Sequence, residues 1–185
     1  MKYINIVESP LSRFLFTNPK ISWLWFLVRV YIGVEWLLAG WGKLGVVSWT
    51  GDQAGSALAG FANGALAKTA GAHPDVQVWY GFFLEKFVLP YAGFWSHLVV
   101  YGEILVGIAL ILGAFTGIAA FFGGFMNLNY LLAGAVSTNP ILLIFGLFIL
   151  LAWRVSGFLG LDYFILPFFG VPWENGKLFL NRKTT

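Results

Sequence analysis

The sequence predicts an all-α membrane protein: a four-transmembrane-helix bundle with a long, partly helical outward loop between helices 1 and 2. Composition is the first reason, because 59% of the 185 residues are hydrophobic and only 10% are charged. A soluble domain carries roughly 25% charged residues, so the charged side chains here are too few to cover a surface that faces water. Most of the outer surface must therefore face lipid. The length has room for one membrane domain, residues 1–185.

Four apolar windows are long enough to cross a bilayer, which is the second reason. A transmembrane helix needs about 20 mostly apolar residues, because each residue rises 1.5 Å and the hydrocarbon layer is about 30 Å thick. The windows run over residues of about 21–42, 96–113, 115–136 and 140–160. Very short turns join the last three, which forces neighbouring helices to pack antiparallel and predicts a compact bundle.

A long loop of about 44–95 separates the first two windows and is too apolar for a flexible linker. Its alanine-rich part, 57–68, predicts a short helix. Its aromatic part, 78–89, predicts a helix that lies in the plane of the membrane interface. Loops of this length are usually functional or disordered, and we interpret this one as a lid over the outer mouth of the bundle.

The basic residues predict the orientation of the bundle. Lysine and arginine cluster at both ends of the chain and are scarce in the long loop. Four spans put both ends on one side, and the positive-inside rule makes that side the cytoplasm. We therefore expect a multi-pass protein of the plasma membrane with cytoplasmic N- and C-termini, including a tail of about 167–185. The first 20 residues lack the apolar run of a secretory signal peptide.

Composition also excludes several classes of function. The chain has no cysteine, which excludes disulfides, thiolate nucleophiles and cysteine-ligated metal clusters. Its two histidines, His73 and His97, lie in such different places that bis-histidine haem ligation is not expected. No spacing predicts a metal site, and no flavin motif is present. The net charge of +3 is small and scattered, so we expect no nucleic-acid partner.

Four ionisable residues lie inside or at the edges of the predicted spans and are candidates for function: Arg29, Glu35, Glu103 and Arg154. An ionisable side chain near the bilayer centre costs about 2.5–3.5 kcal/mol on insertion scales, so each needs a partner or a purpose. Two interpretations stay open. Either these residues line a functional site, or Arg29–Glu103 and Arg154–Glu35 are structural ion pairs that fix the helix register.

Helical periodicity places several of these residues on faces that also carry small residues. On the first helix one stripe collects Arg29, Gly33, Trp36, Gly40 and Lys43. On the third helix a single amide interrupts a stripe of apolar and small residues, formed by Ala120, Gly123, Asn127, Leu131 and Gly134. Small residues let helix backbones approach closely. We therefore expect Arg29, Glu35 and Glu103 to face a shared polar pocket that opens outward beneath the loop.

Such a pocket suits quinone chemistry, because the reduction of a quinone needs protons and a hydrogen-bond partner for each carbonyl oxygen. A carboxyl group removed from water can hold and deliver a proton near neutral pH, so Glu103 and Glu35 are the candidate catalytic residues. The candidate quinone-binding residues supply hydrogen-bond donors or flat walls: Asn127, His97, Lys43, Trp36, Trp41 and Trp95. The simpler interpretations are an interfacial histidine, tryptophans of the aromatic belt and an amide that joins helices.

Four segments, in order along the chain, resemble the DoxX/DoxD family. They are RVYIGVEWLLAGWGKL at 29–44, GEILVGIALILG at 102–113, MNLNY at 126–130 and RVSGFLGLD at 154–162. The resemblance covers about 22–166, and the long outer loop is more similar to the DoxD branch than to the short-loop members. The polar positions of the family correspond to Arg29, Lys43, Glu103, Asn127, Arg154 and Asp162.

The resemblance implies a membrane subunit of a thiosulfate:quinone oxidoreductase that works with a second, DoxA-like subunit. Quinone would bind within the bundle near Glu103 and Asn127. Thiosulfate, which is oxidised to tetrathionate on the outer side, would approach Lys43 and Arg29. The other matched positions are then structural polar residues, Arg154 and Asp162.

Two rival hypotheses stay open beside this one. The first is an accessory subunit that docks a larger respiratory or redox complex without chemistry of its own. The second is a pathway for small solutes or protons. It is disfavoured because one acid on each of two helices gives no continuous chain of proton-carrying groups across the membrane.

Overall fold

The protein is all-helical over the part of the chain that its computed structural model describes, residues 9–170, and no β-strand occurs there. The α-helices are α1 (Pro10–Thr17), α2 (Ser22–Trp41), α3 (Ser56–Leu66), α4 (Val78–Phe83), α5 (Ala92–Leu112), α6 (Thr116–Leu132), α7 (Asn139–Leu151), α8 (Trp153–Ser156) and α9 (Asp162–Ile165). The predicted all-α class is confirmed. Most of the predicted tail, 167–185, lies outside the described residues.

Within residues 9–170, two helical stretches are long and apolar enough to cross a membrane, Pro19–Trp41 and Val78–Leu112. The first coincides with the predicted window 21–42. The third and fourth predicted windows correspond to α6, with 17 residues, and to α7, with 13. At 1.5 Å per residue, α7 alone is about 20 Å long, but after a break at Ala152 the chain continues as α8.

The helix of the second predicted window begins earlier than the sequence suggests. The aromatic segment 78–89 was expected to form a separate interfacial helix, and the second span to begin at 96. In the structure α4 runs on through a π-helical turn, Leu84–Val88, and a 3-10 turn, Leu89–Tyr91, directly into α5. Pro90 has no N–H for the α-helical hydrogen-bond pattern, which explains why the hydrogen bonding changes in this region.

Glycines allow the close contact between α2 and α5. A Cβ atom on Gly107 would lie 2.6 Å from the backbone nitrogen of Leu37, and one on Gly40 would lie 2.9 Å from that of Ile104. Side chains larger than hydrogen therefore cannot occupy these positions without moving the helices apart. The buried face of α2 is the predicted stripe, since Arg29, Gly33, Trp36 and Gly40 are buried.

The described part of the chain contains two hydrophobic cores. The first is shared by α2, α5, α6 and α7 and includes Ile32, Trp36, Leu110 and Ile149. The second lies under the connection between α2 and α5 and includes Leu58, Val76, Tyr80 and Leu84. Tyr130 of α6 packs against the first core, and its ring meets that of Phe61, which packs against the second. It therefore lies at the boundary between the two.

The connection between α2 and α5 is anchored by hydrogen bonds to the neighbouring helices. Lys68 Nζ donates to the carbonyl oxygen of Gly134 at 3.0 Å, and the Tyr80 hydroxyl donates to that of Asn129 at 2.9 Å. The Ser96 hydroxyl donates to the carbonyl oxygen of Trp49 at 2.6 Å. These bonds satisfy polar groups of the connection and hold it against α5 and the C-terminal end of α6.

Substitution of Gly107 tests this packing. We expect Gly107→Ala to lower the free energy of unfolding in detergent micelles by about 1–3 kcal/mol, because the new methyl group overpacks the α2–α5 contact. Gly146→Ala is the matched control, since Gly146 is buried in α7 but has open space where its Cβ would be. Equal stability of the two variants would contradict the close contact.

Candidate functional site

Glu103 is the centre of a buried polar cluster. Its side chain is 1% exposed, and Lys43 Nζ donates to both carboxylate oxygens, at 2.5 Å to Oε1 and 2.6 Å to Oε2. The Tyr130 hydroxyl donates to Oε1 at 2.7 Å. A buried carboxylate is stable only if it is paired and hydrogen-bonded, and both conditions are met here.

Three elements bring this cluster together. Glu103 lies in the middle of α5, and Gly40 of α2 leaves room beside it, because a Cβ on Gly40 would lie 3.0 Å from the Glu103 Cβ. Lys43 follows the end of α2, and its ammonium group lies 5.1 Å from the centre of the Trp49 ring, a cation–π contact. The Lys43 side chain keeps 22% of its surface exposed.

The Tyr130 ring is held from two sides. It stacks on Trp36 with ring centres 6.4 Å apart and meets the edge of Phe61 at 6.1 Å. Aromatic contacts of this kind fix the position of a ring. The hydroxyl group is thereby kept within reach of the Glu103 carboxylate.

Beside Tyr130 lies an apolar cavity of about 430 Å³. It is bounded by α3, α4 with its π-helical extension, α5 and α6, and its walls include Leu58, Tyr80, Leu84, Val106 and Tyr130. Other lining residues are exposed on the outer surface of α5 and α6, among them Leu105, Phe122 and Phe125. The cavity therefore opens between these two helices, on a surface that is almost wholly apolar.

This arrangement can bind a small apolar molecule and offer it one ionisable group. The volume lies in the range of ligand pockets, which are mostly apolar with a few polar groups that set orientation. Tyr130 lines the cavity and its hydroxyl is hydrogen-bonded to Glu103, so this residue joins the apolar cavity to the Lys43–Glu103 pair.

Asn127, a predicted quinone-binding residue, lies one helical turn before Tyr130 on α6. Its side chain is 1% exposed, and neither Nδ2 nor Oδ1 has a hydrogen-bond partner among the described residues. It does not line the cavity. An unsatisfied buried amide costs about 1–3 kcal/mol.

Arg29 belongs to a second polar cluster, about 20 Å along α2 from Lys43. Its guanidinium donates to the carbonyl oxygens of Leu110 at 2.5 Å and Leu159 at 2.9 Å. The predicted Arg29–Glu103 ion pair is therefore wrong. The glycines of the α2–α5 contact set a register in which Gly40, and not Arg29, is level with Glu103.

Asp162 completes this second cluster by capping α6. Its carboxylate accepts hydrogen bonds from the backbone N–H groups of Phe115 at 2.6 Å and Thr116 at 2.8 Å, which favours negative charge at this helix end. It also attracts the Arg29 guanidinium. Gly113, at φ +67°, passes so close that a Cβ would lie 2.3 Å from Arg29 Nη1. The cluster ties the α5–α6 turn to the chain after α8.

Glu35 and Arg154 are not part of either cluster. Glu35 is half-buried, and its side chain forms no hydrogen bond or ion pair with another described residue. Arg154 is exposed, with its guanidinium 5.4 Å from the centre of the Trp153 ring. The predicted Arg154–Glu35 pair does not form. The expectation that Arg29, Glu35 and Glu103 share one pocket is also wrong, because they lie on different faces or at different levels.

Of the tryptophans and the histidine predicted to bind quinone, some lie at the Glu103 cluster or the cavity and others do not. Trp36 is buried against Tyr130, and Trp95 lines the cavity. Trp41 is 66% exposed on the outer surface, as the aromatic-belt interpretation would have it. The Nδ1 atom of His97 bonds to the carbonyl oxygen of Gly93 at 2.8 Å, and its ring stacks on Tyr101.

Two residues of the first cluster were not singled out from the sequence, Tyr130 and Trp49. Tyr130 follows Asn127 by three positions and so shares a helical face with it, a signal that was available. Trp49 lies in the long loop, where nothing in the pattern indicates that it approaches Lys43. Within residues 9–170 no group of three or more acidic, histidine or cysteine side chains could hold a metal ion.

Removal of the Asp162 carboxylate tests the second cluster. We expect Asp162→Ala to lower the free energy of unfolding by about 3 kcal/mol or more, because Arg29 stays buried without its counter-charge and two N–H groups of α6 lose their acceptor. Denaturant titration in micelles measures the effect. The control Asp52→Ala, at an exposed position, should change stability by about 0.5 kcal/mol at most; a similar value for Asp162→Ala would refute the capping role.

Comparison with known proteins agrees with the sequence resemblance at the level of the family. The model of the DoxX family matches residues 24–135, which is more than half of the chain and includes both Lys43 and Tyr130. No curated protein and no solved structure matches the chain significantly. With the apolar helices described above, this match identifies the chain as a membrane protein that belongs to the DoxX family.

Proposed function

We propose that the chain is the membrane subunit of a quinone-linked oxidoreductase of the thiosulfate:quinone type, and that quinone binds in the apolar cavity between α3, α4, α5 and α6. The observation that carries this proposal is the position of Tyr130. This residue forms part of the cavity wall, and its hydroxyl donates to the buried carboxylate of Glu103.

The shape and polarity of the cavity support quinone as the ligand. A quinone has a flat ring, two carbonyl oxygens and, in membranes, a long apolar tail. A cavity of about 430 Å³ accommodates the ring and the start of the tail, and the opening between α5 and α6 lets the rest of the tail extend into lipid. One carbonyl oxygen would meet the Tyr130 hydroxyl.

Glu103 then has the proton-carrying role. Two thiosulfate ions lose two electrons when they join as tetrathionate, and the quinone takes up two electrons and two protons. A buried carboxyl group beside the reacting oxygen is suited to general acid–base catalysis. Glu35, half-buried and away from the cavity, is left without a role in this mechanism.

Lys43 and Arg29 were expected to bind thiosulfate, but their contacts in the structure do not fit this role. Lys43 Nζ is engaged by both oxygens of Glu103, and Arg29 is buried among carbonyl groups. Neither group is free to hold thiosulfate while these bonds last. The reductant therefore acts at the Lys43 end through a second, DoxA-like subunit, or when Glu103 is protonated and releases Lys43.

The same proposal includes four membrane spans: α2, α5, α6, and α7 together with α8. Joined by a one-residue break, α7 and α8 cover Asn139–Ser156, about 27 Å at 1.5 Å per residue, close to the thickness of the hydrocarbon core. Both termini would be cytoplasmic in the plasma membrane, so the Lys43 end of α2 faces outward and the Arg29–Asp162 cluster lies toward the cytoplasm.

A variant that fills the cavity tests the proposal. Gly102 lines the cavity, and a Cβ there would lie 3.4 Å from Met126 Sδ, so Gly102→Leu should occupy ligand space. We expect the variant to lose bound quinone and thiosulfate-dependent reduction of a soluble quinone analogue, while the wild type, purified with its partner, retains both. Lipid extraction and an absorbance assay give the two readouts.

Gly64→Leu is the matched control, because Gly64 is exposed on α3 with open space around it and does not line the cavity. It should bind quinone as the wild type does. Wild-type protein without quinone or activity in the presence of its partner would overturn the proposal. Stoichiometric co-purification with a large complex, and no quinone, would favour an accessory docking subunit.

A further inference from the structure

Three side chains are joined by hydrogen bonds in a row that runs from the protein surface to the cavity. We propose that Lys43, Glu103 and Tyr130 form a proton-transfer chain that delivers protons from water at the Lys43 end of α2 to a ligand oxygen in the cavity. This inference rests on the proposed function, because the proton acceptor is a quinone undergoing reduction.

The distances along the chain are those of direct hydrogen bonds. Lys43 Nζ lies 2.5 Å and 2.6 Å from the two Glu103 oxygens, and Tyr130 Oη lies 2.7 Å from Oε1. A proton can therefore pass between neighbours without a bridging water. The three groups come from separate parts of the fold, the end of α2, the middle of α5 and the last turns of α6.

The solvent exposure of the three side chains sets the direction of proton transfer. The Lys43 side chain is 22% exposed, whereas Glu103 is 1% exposed and has no access to water of its own. Tyr130 lines the apolar cavity. Lys43 is thus the member that can exchange protons with water, and Tyr130 is the member that can touch a ligand.

One proton moves at each hydrogen bond between Lys43, Glu103, Tyr130 and the quinone. After two electrons from thiosulfate reach the quinone, the Tyr130 hydroxyl turns its proton from Glu103 to the quinone oxygen, where the Tyr130 O–H bond breaks and a new O–H bond forms. In the same step the Tyr130 oxygen takes a proton from Glu103, whose carboxylate has first been protonated by the Lys43 ammonium group. Lys43 then regains its proton from water. One passage supplies one of the two protons that the quinone needs.

The Lys43–Glu103 pair is suited to this step because its two forms are both compatible with burial. As an ion pair the charges attract each other, and after transfer the amine and carboxylic acid are neutral, so no isolated charge is left out of water. An arginine at position 43 could keep the ion pair, but its guanidinium stays protonated and cannot release a proton to the carboxylate.

Chemical rescue tests the chain. We expect Lys43→Arg to keep quinone binding but reduce the rate of quinone reduction by about 100-fold, the size of a lost acid–base step. Lys43→Ala should be equally slow and should regain rate as methylamine is added. Lys86→Ala is the control, because Lys86 forms an exposed ion pair with Glu85 outside the cluster, and it should be fast and insensitive to methylamine.

The readouts separate failure of this inference from failure of the proposed function. Wild-type protein that binds no quinone overturns the proposed function. If Lys43→Arg or Lys43→Ala binds quinone and reduces it at the wild-type rate, the proton-transfer chain alone is overturned. The same holds if Lys43→Ala binds quinone but methylamine does not restore its rate. Tyr130→Phe, which removes only one hydroxyl, is a second test: normal reduction by this variant would also overturn the chain.

Discussion

The fold depends on the burial of the Glu103 carboxylate of α5 where the end of α2 and the last turns of α6 meet it. Glu103 lies in the apolar middle of α5 with 1% of its side chain exposed, where an unpaired charge would cost several kcal/mol. Lys43 donates to both of its oxygens, and Tyr130 donates to one of them. The end of α2 and the last turns of α6 must therefore meet at the same point on α5, and this requirement fixes how the three helices are placed.

The close contact of α2 with α5 makes this meeting possible and leaves the cavity beside it. Gly40 and Gly107 bring the two backbones together, so that Lys43 reaches Glu103. Tyr130 remains between the two hydrophobic cores, with one side against Trp36 and the other toward the cavity. The polar cluster and the apolar cavity thus share one residue, which is why we treat them as one site.

Local patterns in the sequence predicted much of the fold, but they did not predict which polar side chains pair with one another. The all-α class, the extent of α2 and its buried stripe follow from periodicity, and the unusual position of Glu103 follows from hydropathy. The hydrogen-bond partners of Glu103 and Arg29 do not follow from the sequence pattern, because they depend on the register of α2 against α5. Contacts of glycines between the two helices set that register in the folded protein. Arg29 was expected beside Glu103 for this reason, whereas it binds carbonyl groups two turns of α5 away. The contact between Trp49 and Lys43 likewise requires a loop to fold back.

A double-mutant cycle on Lys43 and Glu103 measures the central interaction most directly. The free energy of unfolding in micelles is determined for the wild type, Lys43→Met, Glu103→Gln and the double variant. The pair described here predicts that each single change destabilises the protein by about 3–5 kcal/mol and that the double change costs less than their sum by about 1–3 kcal/mol. Additive effects of the two substitutions would contradict the account.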